Sequence, residues 1–282
     1  MSLHSRQLTF SCEFFPPSTE KGLQNLLTAR QQLGQVMSPA FFSVTFGAGG
    51  TSRDRTLNAV QVLRTHDDTE VAPHISCIGS SRAQIDALLQ RYIDMGIRRL
   101  VTLRGDIPEG ETVNSDFAHA SELVAHIRAT TGDHFHIEVA AYPEYHPESA
   151  SPAQDFAHFA DKVKAGADSA ITQYFYNIEA YLRLAEQCDK VSLNVPLVPG
   201  IMPITNYASL VRFSDNCGAD IPRWIRKNLE AMQDDKASLQ AFGVDVVGRL
   251  CQQLLDNGAP GLHFYTLNQA SPTLAIWNTL FD

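Results

Sequence analysis

The chain has 282 residues, of which 44% are apolar and 19% charged, a composition typical of a globular enzyme with one large core or two small domains. Its net charge of −9 disfavours non-specific binding to nucleic acid, because no cationic surplus exists to neutralise phosphates. Five dispersed cysteines without C-x-x-C spacing, a polar start and the lack of a long apolar run predict a cytoplasmic protein with no structural metal site and no membrane contact.

Short apolar segments alternate along the chain with stretches of helical periodicity. The predicted strands, in chain order, are 8–14, 41–45, 71–77, 100–103, 137–141, 170–174, 195–198 and 262–266. Eight such strand–helix units predict parallel strands that close into a (β/α)8 TIM barrel, and an open doubly wound sheet is the alternative. We expect an additional loop and short helix within 215–236, before the last strand.

Active sites of β/α barrels lie where the strands end and the βα loops begin. Here these positions are polar, titratable or glycine-rich, whereas the strands behind them are apolar. This contrast predicts a functional site at that end, although strand ends meet water in any barrel. The residues concerned are Glu13, Thr45, 47–50, His74, Ser76, Arg104, Gly105, Asp106, Tyr142, Glu144, His146, Gln173, Pro199, Gly200, Tyr265 and Asn268.

Glu13 lies among apolar residues at the end of the first strand, with Cys12 before it and Phe14 after it. Apolar surroundings disfavour the charged carboxylate, so we expect its pKa to be raised towards that of a general acid. The alternative is a solvated or salt-bridged glutamate, and this segment alone does not favour either interpretation.

Two further segments have a less specific pattern. The glycines at 47–50 do not form a dinucleotide-binding fingerprint, because Ser52 stands where the third glycine is required. Asp155, His158 and Lys162 share one helix face, where the lysine could meet a pyrophosphate, although plain solvation is the more common role of such a face. No metal is expected.

An ordered set of motifs runs nearly the whole length of the chain. It comprises EFFPP at 13–17, SVTFGA at 43–48, RDRT at 53–56, APH at 72–74, LRGDIP at 103–108, AYPE at 141–144, HPE at 146–148, GAD at 166–168, ITQYF at 171–175, PGIMP at 199–203 and HFYTLN at 263–268. Together these motifs resemble the methylenetetrahydrofolate reductase family, in its bacterial, single-domain form.

The resemblance implies one FAD-binding barrel over 1–282, with non-covalent FAD passing hydride from NADH or NADPH to 5,10-methylenetetrahydrofolate in a ping-pong scheme. It implies that Glu13 is the general acid and that Asp106 binds the pterin and stabilises the developing cation. The residues it implies for FAD are Thr45, Phe46, Ala48, His74, Arg104, Gly105, Asp106, Tyr142, His146, Asp155, His158 and Lys162. Gln173, Lys227 and Gln269 are implied for folate, and an assembly of identical subunits is expected.

Several positions depart from the family pattern. Gln269 replaces a usual arginine, Val113 a tyrosine, and His158 and Asp161 an asparagine and an arginine. Lys227 replaces a frequent glutamine and Leu229 a frequent aromatic residue, so Lys227 is a candidate to bind the folate glutamate in place of the arginine. Two other functions stay open: a flavin barrel similar to proline dehydrogenase, and a non-catalytic folate- or flavin-binding subunit of a redox complex.

Overall fold

A computed structural model describes residues 8–46, 50–65, 68–106 and 114–281, with side chains at all of these except 50–53. Within these ranges the strands are β1 (Thr9–Phe14), β2 (Phe41–Val44), β3 (Glu70–Ser76), β4 (Arg99–Leu103), β5 (His136–Ala141), β6 (Ser169–Thr172), β7 (Leu197–Val198), β8 (Gly200–Ile201) and β9 (Gly261–Tyr265). The helices are α1 (Glu20–Met37), α2 (Gly50–Arg64), α3 (Arg82–Asp94), α4 (Ala120–Thr131), α5 (Pro152–Lys164), α6 (Ile178–Lys190), α7 (Tyr207–Cys217), α8 (Arg223–Ala231), α9 (Lys236–Asp256) and α10 (Ala270–Phe281).

The strands form one parallel sheet in the order β7-β6-β5-β4-β3-β2-β1-β9-β8. Only Pro199 separates β7 from β8, so the two ends of this sheet are adjacent in the chain and the sheet is a nearly closed barrel. The predicted TIM barrel is therefore confirmed, and the open doubly wound sheet is excluded. Between β8 and β9 lie α7, α8 and α9, and α8 falls inside the stretch for which the sequence predicts an additional short helix.

The seventh predicted strand, 195–198, is shorter in the structure and is followed by a separate strand. Its second half is β7, which pairs with β6, whereas β8 lies beyond the predicted range and pairs with β9. Pro199 has no N–H to donate to a ladder, but its carbonyl accepts the His263 N–H at 2.9 Å. The next residue must be a glycine, because the backbones of residues 200 and 172 lie so close that a Cβ on Gly200 would be 2.1 Å from the Thr172 carbonyl oxygen. Pro199 thus lies between two short strands, of which the sequence predicts only the first.

Side-chain caps set the start of several helices. Ser81 and Gln84 form a reciprocal capping box at α3, and Ser151 caps α5 immediately before Pro152. Because α5 starts there, its residues Asp155, His158 and Lys162 follow the loop after β5 directly. No helix in the described part of the chain is long and apolar enough to cross a membrane.

The inside of the barrel is layered. Phe41, Ala72, Val101 and Ile171 form an apolar cluster in the middle. Towards the amino ends of the strands lies a charged network centred on Glu138, and towards their carboxyl ends the polar side chains begin. This layering leaves the carboxyl-terminal end of the barrel open for a ligand.

Candidate active site

A cavity of about 920 Å³ lies at the carboxyl ends of the strands. Its volume falls within the range of small-molecule and cofactor sites. The predicted site residues in its wall are Glu13, Thr45, Phe46, His74, Asp106, Tyr142, His146 and Gln173. The sequence therefore identifies most of the polar wall of this cavity, because parallel strands bring their carboxyl ends together.

Glu13 lies on β1 with its carboxylate held by polar side chains from three neighbouring strands. Its Oε2 is 3.1 Å from Nε2 of His74 and 3.5 Å from Nε2 of His263, and Ser43 Oγ donates to it at 3.4 Å. The Glu13 side chain is 16% exposed and lines the cavity, whereas His263 is fully buried. His263 is fixed in turn by Ser11 Oγ, which lies 2.7 Å from its Nδ1.

The pKa of Glu13 contradicts the expectation of a raised value. Burial acts to raise it, but the charge and hydrogen bonds of His74 and His263 outweigh burial and lower the pKa of Glu13 to about 2. The sequence shows only the apolar neighbours along β1, whereas the two histidines come from β3 and β9. Glu13 is therefore an ion-paired carboxylate in this structure, the second of the two interpretations left open by its segment.

A smaller cavity of about 240 Å³ adjoins the first. The two share Leu103, Asp106, Ala140, Tyr142, His146 and Glu148 as lining residues. The predicted site residues in the smaller cavity are Arg104, Gly105, Asp106, Tyr142, His146, Asp155, His158 and Lys162. Together the two cavities form one elongated site that runs from Glu13 to the first helical turns of α4 and α5.

The turn after β4 requires its glycine. Gly105 has a φ of +90°, and a Cβ there would lie 2.1 Å from Ser76 Oγ and 2.6 Å from Ile78 Cγ2. Ser76 Oγ donates to the Arg104 carbonyl at 2.7 Å, which fixes the turn to β3. The Arg104 guanidinium pairs with Glu148, so Arg104 is less available to a ligand than the sequence suggests.

Lys162 is directed into the barrel side of the smaller cavity. Its Nζ donates to the Ala140 carbonyl at 2.5 Å, and burial lowers its pKa to about 8 while Asp155 acts to raise it. Plain solvation, the more common role of such a helix face, therefore does not describe Lys162. Asp161 is exposed and lies outside the lining residues, so the departure at this position does not put a carboxylate into the cavity.

Some predicted residues are not brought into the two main cavities. Lys227 lies on α8, is 59% exposed and pairs with Glu230 at 2.5 Å. Gln269 lines a separate polar pocket together with Lys236 and Asn206. Ala48 and Val113 lie outside the described residues. Contact of Lys227 and Gln269 with folate stays a prediction.

Sequence reasoning missed several residues that the structure adds to the site. His263 and Ser43 contact Glu13, and His119 and Glu148 line the smaller cavity. For His263 a signal was present, because it stands two residues before the strand-end Tyr265 and therefore on the same face of β9. Among the described residues, no three His, Cys, Asp or Glu side chains gather as ligands for a metal ion.

Comparison with known proteins identifies the family. The sequence model of methylenetetrahydrofolate reductase matches residues 1–280. This chain belongs to the methylenetetrahydrofolate reductase family. The resemblance inferred from the motifs is thereby confirmed.

Two relatives show how far the similarity to this family extends. The 5,10-methylenetetrahydrofolate reductase of Escherichia coli (strain K12) is 36% identical over 274 residues, which cover 97% of this chain and 91% of that protein. Methylenetetrahydrofolate reductase (NADH) 1 of Arabidopsis thaliana is 37% identical over 283 residues, covering 96% of this chain and 48% of the plant protein. A methylenetetrahydrofolate reductase barrel thus matches bacterial relatives over nearly their full length and plant relatives over about half.

Solved structures with much lower identity share the fold. A protein from Clostridium thermocellum that binds two copies of 5-methyl-5,6,7,8-tetrahydrofolic acid superposes with a TM-score of 0.66 at 14% identity, covering 96% of this chain and 93% of that one. A dihydropteroate synthase from Coxiella burnetii, in complex with pteroic acid, has a TM-score of 0.52 at 8% identity, with 97% and 92% covered. At these identities the likeness demonstrates the barrel alone.

Proposed function

We propose that this protein reduces 5,10-methylenetetrahydrofolate to 5-methyltetrahydrofolate, with NADH or NADPH as hydride donor and non-covalently bound FAD, in one catalytic barrel over residues 1–282. Membership of the methylenetetrahydrofolate reductase family supports the reaction. The observation that carries the proposal is the Glu13–His74 pair, 3.1 Å apart, in the wall of the large cavity. Assembly as a homo-oligomer in the cytoplasm is part of the same proposal.

The residues of the two cavities fit FAD. The larger cavity has aromatic and apolar walls around Tyr142 and Leu103, as a flat ring system requires, and the smaller one contains Lys162, whose ammonium group suits a phosphate. The glycine turn at Gly105 allows the backbone to approach a ligand closely. The full set proposed for FAD is Thr45, Phe46, Ala48, His74, Arg104, Gly105, Asp106, Tyr142, His146, Asp155, His158 and Lys162.

When bound, FAD supplies the hydride-carrying chemistry, accepting hydride from the nicotinamide and delivering it to the methylene carbon of the folate. The large cavity is a single space, so the nicotinamide and the folate occupy it in turn, in agreement with a ping-pong scheme. The protein contributes placement, exclusion of water and control of protons.

The proton for the folate step is donated by Glu13. In the structure His74 and His263 lower the pKa of Glu13, so its carboxylate is charged at neutral pH while no ligand is bound. A ligand that fills the cavity removes the remaining water from this carboxylate, and low polarity favours its neutral acid form. The proton then lies on Glu13 Oε2, from which it is donated to the folate nitrogen that leaves the methylene carbon.

Asp106 and Gln173 bind the other parts of the pterin. Asp106 lines both cavities, where its carboxylate accepts from ring N–H groups and favours the cation that develops when the folate ring opens. Gln173 accepts the Tyr174 N–H through its Oε1 at 3.0 Å, which fixes the amide at the cavity wall. Both side chains therefore act by orientation and charge rather than by proton transfer.

The decisive experiment uses the absorption of the purified protein. We expect a flavin spectrum that NADH or NADPH bleaches without oxygen and that 5,10-methylenetetrahydrofolate restores, with 5-methyltetrahydrofolate as product. Bleaching by proline instead would indicate the proline dehydrogenase-like alternative. A flavin that no nicotinamide reduces would indicate a non-catalytic subunit, and a protein that binds no flavin from solution would refute the proposal.

A further inference from the structure

A single buried imidazole connects two side chains of β1. Ser11 and Glu13 lie two residues apart on the same face of this strand, and His263 on β9 is paired with Ser11 in the sheet. Nδ1 of His263 lies 2.7 Å from Ser11 Oγ, and its Nε2 lies 3.5 Å from Glu13 Oε2. Ser11 and His263 are buried, whereas Glu13 lines the large cavity. A chain of three side chains thus ends at the cavity wall.

The ring of His263 is held by aromatic side chains. Phe41 stacks on it with ring centroids 6.0 Å apart, and Tyr265 meets it edge to face at 5.3 Å. These two contacts fix the plane of the imidazole. Its two nitrogens therefore stay directed at Ser11 and Glu13.

The carboxylate decides which nitrogen of His263 must carry hydrogen. A carboxylate only accepts hydrogen bonds, so the ring faces Glu13 favourably when hydrogen is on Nε2. A neutral ring then has a bare Nδ1, to which the Ser11 hydroxyl donates, and a charged ring has a second N–H, which the same hydroxyl accepts. Ser11 thus supports an Nε2–H directed at Glu13 in either form of the ring. The distance of 3.5 Å is longer than a hydrogen bond, so this N–H acts on Glu13 through its partial charge.

We infer that Ser11 and His263 are positioning residues that hold the carboxyl group of Glu13 for proton transfer to the folate. The inference rests on the proposed function, because it requires Glu13 as the proton donor. The Nε2–H stabilises the carboxylate, which makes the protonated group a stronger acid, and its fixed place orients that group. Ser11 and His263 act through Glu13 and do not touch the substrate, because both lie deeper in the barrel.

Several titratable groups surround Glu13. They are His74 on β3, His263 and Tyr265 on β9 and, in the same cavity wall, Asp106, Tyr142 and His146. Burial raises the pKa of Tyr265 and of Tyr142, so both phenols stay neutral. Burial acts to raise the pKa of Glu13, and His74 and His263 lower it. Loss of the His263 contact should therefore raise the pKa of Glu13 in part, while His74 and the other groups remain in place.

The first test compares S11A with the wild type in the folate half-reaction. Reduced flavin is mixed with saturating 5,10-methylenetetrahydrofolate in a stopped-flow instrument from about pH 5 to about pH 7. Lys162 of the adjoining cavity stays charged in this range, because its pKa is about 8. We expect S11A to slow the reaction about three- to tenfold and to move the pH at which the rate declines up by about one unit, since a less stabilised carboxylate belongs to a weaker acid. Reduction of the flavin by NAD(P)H should be unchanged.

Two substitutions of His263 separate the contacts of its two nitrogens. The shorter amide of H263N can reach Ser11 but not Glu13, whereas the longer amide of H263Q can place an N–H near the position of Nε2. H263N should therefore show the larger upward shift of the pH profile, and H263Q should restore part of the wild-type profile. Thermal unfolding shows which variants are folded. S11A removes a single hydroxyl group and keeps the test decisive if a histidine variant does not fold.

The amino-terminal end of the barrel provides a matched control. Ser169 Oγ lies 2.7 Å from Nε2 of His136 and donates to Glu138, so the same three residue types meet there, outside the two cavities. S169A loses an equivalent hydroxyl group and should keep the wild-type rate and pH profile of the folate half-reaction. The same kinetic change in S169A and S11A would indicate a general effect of packing in the barrel and overturn the inference.

A direct measurement on the apoprotein does not depend on activity. In protein labelled with ¹³C-glutamate, the carboxyl signal of Glu13 is assigned by its absence in E13Q. In S11A and H263N this carboxyl should take up its proton at a higher pH than in the wild type, by about one unit. In the E13Q background S11A should slow the folate half-reaction no further, because Ser11 acts through Glu13.

The outcomes distinguish the inference from the proposed function. A wild-type rate, pH profile and ¹³C titration in S11A and H263N would overturn the inference and leave the proposed function intact. A further loss on adding S11A to E13Q would also overturn it, because Ser11 would then act by another route. A wild-type protein whose reduced flavin is not reoxidised by the folate would refute the proposed function itself, and with it the inference.

Discussion

Two glutamates lie inside the same barrel at opposite ends, and their surroundings differ in two respects. Glu138 on β5 is bound by Arg99 at 2.5 Å, by Ser169 and by His136 at 3.3 Å, and its side chain is 3% exposed. Glu13 on β1 is bound by His74 and His263, is 16% exposed and lines the large cavity. Both have lowered pKa values, because hydrogen bonds and positive charge outweigh the effect of burial.

The two differences are whether the partner of the glutamate carries a permanent charge and whether a ligand can reach the glutamate. Arg99 is always charged and also pairs with Glu70 at 2.8 Å, so Glu138 has no route to a neutral form near neutral pH. Glu13 has no arginine or lysine among the partners named here, and the cavity admits a ligand to it. Phe41 contacts both networks, with Arg99 over its ring at 4.6 Å and His263 stacked at 6.0 Å. The comparison indicates that the ion pairs of Glu138 stabilise the amino-terminal end of the barrel, whereas Glu13 and its histidines lie at the carboxyl-terminal end, where a ligand can reach them.

The largest expected effect is on Glu13. E13Q removes the transferable proton, so the folate half-reaction should slow by about 10²–10⁴-fold, the contribution of a positioned acid. Bound FAD and its reduction by NAD(P)H should be retained, because neither step needs that proton. Stopped-flow absorbance measures the two half-reactions separately. Equal loss of both half-reactions would refute the role assigned to Glu13.

Glu138 should show the opposite behaviour. E138Q removes one of the two carboxylates that pair with Arg99 and leaves Glu70 as the other, so it should lower the free energy of unfolding by about 2 kcal/mol, measured with urea. The half-reactions of the folded fraction should be unchanged. An E138Q enzyme that is as stable as the wild type but impaired in folate reduction would contradict the assignment of a structural role to Glu138 and a chemical role to Glu13.

The pH dependence of stability sharpens the same comparison. The pKa of Glu138 is lowered in the folded protein from its ordinary value of 4.5. Its contribution to stability is therefore present above about pH 4.5, where the unfolded chain has also lost this proton, and declines as pH falls towards the folded pKa. E138Q should show a shallower loss of stability in acid than the wild type. Parallel curves for the two proteins would contradict this assignment.

The glycine turn beside the cavity gives the next smaller effect. G105A puts a Cβ against Ser76 and Ile78 at a φ of +90°, and should cost about 1–3 kcal/mol of stability together with FAD occupancy. Gly132 is the matched control, because its φ is +57° and a Cβ there meets nothing within 4 Å. G132A should carry only the backbone strain of a φ of +57° with a ψ of −131°, about 1–3 kcal/mol, and keep its flavin. Similar flavin loss in both variants would show that close packing at Gly105 does not matter for FAD.

The barrel and most of its polar wall could be predicted from the sequence, because strand periodicity fixes which residues end each strand. The second short strand after Pro199, β8, could not be predicted, since it depends on pairing with β9. The lowered pKa of Glu13 could not be predicted either, because His74 and His263 are 61 and 250 positions away in the chain. Pairings on helix surfaces, such as Lys227 with Glu230, are equally hidden until the rotamers are known.

The smallest expected effect concerns two lysines that are candidates to bind the folate glutamate. Lys227 already pairs with Glu230 on an exposed helix, whereas Lys236 lines the same polar pocket as Gln269. We therefore expect K236E to raise the folate KM about two- to fivefold, as an exposed ion pair allows, and K227E to raise it less, both with kcat unchanged. Steady-state kinetics with monoglutamyl folate measures this difference. A larger effect of K227E would favour the role inferred for Lys227 from the sequence, and an unchanged KM in K227E would argue against any contact between Lys227 and the folate.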